Sequence, residues 1–229
     1  MEFPDSRQLC VLLKKFSEGK GCISREFISK GELAALSSLG IIYRTITHKE
    51  VCVRSLIPLA LKVLELGVDP QEVSTYLSWR DFEALILDYL VRFGYKAFRG
   101  VRFTSRRLEV DVLGIDEINA LGLVIDCKHW MPGYRKAGKL REAAAKHREK
   151  VVRLSEECRA LLPKYYPIVR ARYYVPVVVT LTETIKGPVK GSLIVPVRVM
   201  RDFIVNLRYY IDVFQDVALI PNKCYEGRK

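Results

Sequence analysis

The chain has 229 residues, of which 49% are hydrophobic and 28% are charged. This composition excludes a disordered chain, and no uninterrupted apolar segment has the length of a membrane span. The net charge of +12 favours a polyanionic partner such as a nucleic acid. Residues 1–78 carry ten Lys and Arg against nine Asp and Glu, whereas residues 79–229 carry twenty-eight against seventeen. The second part of the chain therefore provides most of the attraction.

The six cysteines form no C-x-x-C pair and no two of them lie near a histidine at zinc-ligand spacing, so a zinc site is not expected. The amino terminus has no signal-peptide pattern, and we therefore expect a cytoplasmic protein with reduced thiols and no membrane partner. Asn and Gln occur only three times each, a bias typical of thermophilic and archaeal proteins. Intracellular disulfides do occur in such organisms.

Residues 1–77 are predicted to form a small winged-helix-like α+β domain, because helices precede a β-hairpin. The nearly neutral charge of this part leaves DNA contact and protein contact equally open. The predicted elements are a helix at Ser6–Phe16, a helix at Glu26–Leu39 interrupted near Gly31, a hairpin within Ile41–Arg54, a helix at Leu56–Leu66, and a short helix capped by Asp69.

Residues 78–229 are predicted to alternate between helices and strands, in the order helix, three strands, helix, two strands, helix. Apolar stripes of helical spacing and β-branched runs of strand length carry this prediction. The predicted elements are Trp79–Phe93, Tyr95–Arg99, Arg106–Ile115, Leu121–Lys128, Lys139–Leu162, Tyr173–Thr182, Gly191–Val197 and Met200–Tyr210.

Charged residues interrupt two of the apolar strands. Asp111 lies in one strand, and Asp126 and Lys128 lie near the end of the next. Because strand side chains alternate with period two, Asp126 and Lys128 point to the same side. If the strands pair, two carboxylates and an ammonium group meet, which suits a divalent metal and phosphodiester hydrolysis. The alternative is a solvated ion pair on an exposed face.

Two further acidic residues are candidates for the same site. Glu83 lies within the apolar stripe of the helix that begins at Trp79, where a carboxylate is costly unless paired or metal-bound. Glu109 shares a strand face with Asp111 and ranks second to it. The backbone carbonyl of Cys127 is a candidate third ligand, whereas its side chain and His147 are expected to lie in the core.

Basic residues are concentrated around these strands. Residues 134–164 carry ten Lys and Arg against four Asp and Glu. We expect contacts with a phosphate backbone there, although a solvated helix face with i,i+4 ion pairs is the alternative. The candidate nucleic-acid-binding residues are Arg99, Arg102, Arg106, Arg107, His129, Arg135, Lys136, Lys139, Arg141 and Lys146.

These motifs resemble those of the PD-(D/E)xK nuclease superfamily, nearest to archaeal Mrr-type restriction endonucleases and Holliday junction resolvases. The resemblance covers residues 79–182 and rests on Glu83, Asp111 and the Asp126-x-Lys128 triplet. It implies a restriction-endonuclease-like αβββαβ core with a central mixed sheet, in which Glu83, Asp111 and Asp126 bind Mg²⁺ or Mn²⁺. Many Mrr-type members place glutamine after the lysine strand, whereas His129 and Trp130 follow Lys128 here.

The resemblance further implies a metal-dependent deoxyribonuclease that leaves a 5′-phosphate, acts on DNA that is intact, branched or damaged, and works as a homodimer. Lys128 would position water or stabilise the transition state. Two other functions remain open. A nuclease fold without turnover would serve as a nucleic-acid-binding scaffold. An RNA endonuclease related to the tRNA-splicing enzymes would act without metal.

Overall fold

A computed structural model describes residues 4–41, 43–46, 49–103, 108–129, 136–181, 183 and 185–227. The chain divides into two units, Met1–Leu85 and Ile86–Lys229, and the division falls inside a helix, Trp79–Arg92. The boundary predicted from the sequence lies at the start of that helix. Each unit is α/β in composition.

The first unit contains helices and a three-stranded antiparallel sheet with strand order β1-β3-β2. The strand β1 was not predicted. The elements are α1 (Ser6–Glu18), β1 (Cys22–Ser24), α2 (Lys30–Ser38), β2 (Tyr43–Ile46), β3 (Glu50–Val53), α3 (Ile57–Glu65), α4 (Pro70–Thr75) and the first half of α5 (Trp79–Arg92).

Capping residues fix where the early helices begin. Asp5 and Gln8 form a capping box at α1, and Ser29 and Glu32 form one at α2. A short 3₁₀ turn ends at Phe27, so the predicted interruption of the second helix lies before Ser29 and not near Gly31. The position is corrected because the Ser29 hydroxyl starts the new helix, while Gly31 lies within it.

The second unit is built on a mixed sheet with strand order β4-β5-β6-β7-β9-β8, and β10 pairs with the start of β7. Strands β4, β5 and β6 are antiparallel, whereas β6–β7 and β7–β9 are parallel. After the second half of α5, the elements are β4 (Lys96–Phe103), β5 (Leu108–Asp116), β6 (Leu121–Lys128), α6 (Lys136–Glu156), β7 (Tyr173–Thr180), β8 (Gly187–Val189), β9 (Ser192–Pro196), α7 (Met200–Val205), α8 (Leu207–Val213) and β10 (Ile220–Pro221).

Helix α6 covers the central strands of this sheet. Leu140 and Ala144 pack on Val178 and Ile194, and further along the helix Val151 joins the larger core. The helix is also tied to β9, because Ser192 Oγ donates a hydrogen bond to the Ala144 carbonyl at 2.8 Å. These contacts fix which face of α6 lies against the sheet.

Two disulfides contradict the expectation of reduced thiols. Cys22 and Cys52 face each other in the β1–β3 register and are bonded, and Cys158 is bonded to Cys224. Cys10 and Cys127 are buried and form no disulfide. The expectation failed because sequence spacing excludes a zinc motif but does not show which cysteines the fold brings together.

Replacing Gly122 with Ala should destabilise the protein. A Cβ at Gly122 would lie 2.5 Å from Cδ1 of Tyr174, whose side chain is fully buried. Overpacking of this kind costs about 1–3 kcal/mol, which urea denaturation measures.

The control is Gly138→Ala. Gly138 lies in α6 and an added Cβ there meets nothing within 4 Å. This change should raise the free energy of unfolding by about 0.5–1 kcal/mol, because alanine favours the helix. Equal effects of the two substitutions would contradict the packing of Tyr174 against β6.

Candidate functional site

Adjacent strands bring Asp111 and Asp126 together. The antiparallel β5–β6 register ends with Val112 opposite Ile125, so the two aspartates are the next residues on their strands. Asp111 lies in the first half of β5 and Asp126 near the end of β6. The sequence placed Asp111 within a strand predicted at Arg106–Ile115, and in the structure this strand continues to Asp116.

The Asp111 carboxylate is held by the backbone of the neighbouring strand. Its Oδ2 accepts a hydrogen bond from the Cys127 N–H at 2.7 Å. Burial raises the pKa of Asp111, the negative charge of Asp126 raises it further, and this hydrogen bond offsets part of the rise. The negative charges of Asp111 and Asp126 repel each other. A cation bound between the two carboxylates would relieve this repulsion.

The Asp126 carboxylate lies between two lysines. Lys128 Nζ is 2.6 Å from Oδ2 and Lys150 Nζ is 3.5 Å from Oδ1. The Lys128 contact is a close ion pair to a buried carboxylate oxygen. The Asp126 side chain is 8% exposed, against 24% for Lys128 and 23% for Lys150. Both lysine side chains are therefore partly exposed to solvent.

These cations set the protonation of Asp126. Burial acts to raise its pKa, but His147, Lys128 and Lys150 together lower it. The pKa of His147 is itself lowered to about 4, because that ring is almost completely buried. His147 is therefore neutral at neutral pH, and the two lysines are the cations that keep Asp126 ionised there.

The charged centre consists of Asp111, Asp126, Lys128 and Lys150. Helix α6 supplies the part of it that the sequence did not predict. His147 Nε2 lies 2.8 Å from the Val124 carbonyl oxygen on β6, and Lys150 follows three residues later on the same side of the helix. His147 was expected to lie in the core and does. Lys150 belongs to the basic segment, residues 134–164, for which contacts with a phosphate backbone were expected. Lys150 is three residues beyond His147 and therefore lies on the same side of the helix. This spacing could have predicted that Lys150 lies near the strands.

The other acidic candidates differ in their surroundings. Glu109 pairs with Arg102 across the β4–β5 ladder, with Arg102 Nε 2.6 Å from Glu109 Oε2. Glu83 is buried, as the sequence indicated, and belongs to the first unit. Its role in the site stays a prediction. Cys127 is buried and contributes its N–H to Asp111, whereas its carbonyl was the predicted ligand atom.

The basic candidates lie mainly on exposed surfaces. Exposed side chains are those of Arg99 and Arg102 on β4 and of Lys139, Arg141 and Lys146 on α6. Lys146 pairs with Glu142 at 2.5 Å, as the i,i+4 alternative predicted. Lys136 is the first residue of α6, and His129 follows β6 and is half-buried. Arg106, Arg107 and Arg135 lie outside the described residues.

The donors at this centre fit Mg²⁺ as a two-carboxylate site. Mg²⁺ takes oxygen ligands, often one or two carboxylates completed by water and substrate phosphate. Within the described ranges, no group of three or more His, Cys, Asp and Glu could hold a metal ion. Asp111 and Asp126 are the two carboxylates that the neighbouring strands β5 and β6 bring together here.

Comparison with known proteins gives few matches. No protein-family model matches the chain, and no curated protein matches it significantly. Among solved structures the chain is similar to protein VC1899 from Vibrio cholerae, with 12% sequence identity and a TM-score of 0.34. The alignment covers 92% of this chain and 51% of that one, so the chain spans about half its length. In the described part of the chain, no helix is both long and apolar enough for a membrane crossing.

Proposed function

We propose that the protein is a Mg²⁺-dependent endonuclease that hydrolyses phosphodiester bonds in DNA. The observation that carries this proposal is the pair of carboxylates on neighbouring strands, Asp111 and Asp126, with Lys128 in contact with Asp126. Charged groups in an otherwise apolar sheet are costly, and such clusters are found mainly at functional sites.

Each residue of the proposed site would have a separate role in hydrolysis. Asp111 and Asp126 would hold Mg²⁺, which supplies water activation and charge neutralisation when it is bound. The Cys127 N–H fixes the orientation of Asp111. Lys128 would leave Asp126 to contact a phosphoryl oxygen, where its ammonium group stabilises the negative charge of the transition state. Glu83 is proposed as an assisting carboxylate.

The order of elements supports the resemblance to the PD-(D/E)xK superfamily. The sequence α5-β4-β5-β6-α6-β7 follows the αβββαβ pattern, with β6 and β7 parallel. For residues 1–77, the β1-β3-β2 sheet with α2 between β1 and β2 supports a winged-helix-like module. We propose DNA as the partner of the whole chain, and for this module DNA contact and protein contact stay equally open. Cutting both strands would require two active sites, and we therefore propose a homodimer.

A substrate panel tests the proposed function. Supercoiled plasmid, linear duplex, branched DNA and RNA would each be incubated with the full chain in Mg²⁺ or in EDTA. We expect DNA cleavage in Mg²⁺ only, with 5′-phosphate ends. Binding without cleavage of any substrate would instead support a scaffold, and RNA cleavage that survives EDTA would support a metal-free ribonuclease. Either result would contradict the proposal.

A further inference from the structure

Lys150 reaches the site from a rigid support. The imidazole of His147 contacts the Val124 carbonyl at 2.8 Å, and Ala144, one turn earlier, is packed on Val178 and Ile194. The face of α6 that carries these residues cannot turn away from the sheet without losing these contacts. Lys150 therefore lies beside Asp126 as a consequence of the fold, and its side chain remains 23% exposed.

The four charges of the centre cancel. Asp111 and Asp126 contribute two negative charges, and Lys128 and Lys150 contribute two positive charges. A phosphate group that approaches this neutral set gains little, because both ammonium groups are already in contact with Asp126. A divalent cation on the carboxylates adds two positive charges, and the lysines are then no longer needed as counter-ions.

We propose that Lys150 is a second phosphate-contacting residue, held by Asp126 in the metal-free protein and released when a divalent cation binds the carboxylates. This inference rests on the proposed function, since it names a further residue of the same site. Lys128 and Lys150 then contact the nucleic-acid backbone together, one from β6 and the other from α6. Binding of DNA at the site is therefore coupled to binding of the cation.

Salt dependence of DNA affinity tests this proposal. The probe is a fluorescein-labelled duplex, titrated by anisotropy at several salt concentrations in Ca²⁺, a hard cation with oxygen ligands, and separately in EDTA. Each lysine–phosphate contact contributes about 1 to the slope of log affinity against log salt. We expect Lys150→Met to make this negative slope shallower by about 1 in Ca²⁺. In EDTA the slope of the variant should match that of the wild type.

Two variants make the test specific. Lys150→Arg keeps the positive charge and should retain the wild-type slope. Lys223→Met removes an exposed lysine that pairs with Glu156 at 3.6 Å, and it should leave the slope unchanged in both conditions. A wild-type slope for Lys150→Met in Ca²⁺ would overturn the proposal, as would an equal loss in Ca²⁺ and in EDTA.

Cleavage is measured separately in Mg²⁺, so that the two proposals can fail independently. A wild-type protein that binds the duplex with the expected slopes but never cuts would overturn the proposed endonuclease and leave the Lys150 contact supported. Cleavage by the wild type, together with unchanged slopes for Lys150→Met, would overturn only the Lys150 contact. A chain that does not bind DNA in either condition would overturn both.

Discussion

Asp126→Asn should abolish DNA cleavage while the protein stays folded. The substitution removes the charge of one of the two proposed Mg²⁺ ligands. A bound metal ion stabilises the charge of the transition state by several kcal/mol. If about 4 kcal/mol of this stabilisation is lost, the cleavage rate falls by about 10³-fold. The amide also removes the carboxylate charge that pairs with Lys128 and Lys150. Because both lysine side chains are partly exposed, we expect the free energy of unfolding to fall by only about 1 kcal/mol.

The binding behaviour of Asp126→Asn separates lost chemistry from lost affinity. In EDTA the variant should bind duplex DNA at least as tightly as the wild type, because the ion pairs of Lys128 and Lys150 with this carboxylate are lost. The matched control is Glu156→Gln, which removes an exposed carboxylate that pairs with Lys223 and should cut normally. Cleavage by Asp126→Asn at the wild-type rate in Mg²⁺ would show that this carboxylate has no part in the reaction.

Lys128→Met should lower the cleavage rate without lowering the affinity for the metal. Loss of one preorganised charge-stabilising donor typically reduces kcat by about 10²–10³-fold. The ammonium group lies 2.6 Å from Asp126 Oδ2, so it competes with any cation that binds this oxygen. We therefore expect calorimetry to show Mn²⁺ affinity equal to or higher than that of the wild type.

This pair of opposite effects distinguishes a catalytic lysine from a structural one. A lysine that only supported the local fold would lower Mn²⁺ affinity and rate together when it is replaced. Lys128→Arg keeps the charge but not the compact ammonium group, and it should recover part of the rate. Weakened Mn²⁺ binding in Lys128→Met would contradict the assigned role.

The strand-borne part of the site could be predicted because it depends on local rules. Period two places Asp126 and Lys128 on one side of β6, and the structure shows their side chains in contact. The short turn after β5 makes pairing with β6 the simplest arrangement, which brings Asp111 near. Burial of Glu83 likewise follows from its position within an apolar helical stripe.

The remaining features depend on tertiary structure. Lys150 is twenty-two residues beyond Lys128, and its place at the site follows from the packing of α6 on β7 and β9. The sequence shows which face of α6 is apolar but not which strand residues it meets. Edge strands such as Gly187–Val189 and Ile220–Pro221 are too short to show a periodic pattern. The predicted final helix is divided at Asn206 into α7 and α8, and local helix propensity did not indicate this division.

The central claim is that Asp111 and Asp126 hold a divalent cation. The most direct measurement is an anomalous difference map from crystals of the full chain soaked in Mn²⁺. We expect a peak in contact with oxygen atoms of both aspartates, with Lys128 Nζ displaced from Asp126 Oδ2. A map without a peak at this pair, at a Mn²⁺ concentration that supports cleavage and with both lysines still on Asp126, would contradict the claim.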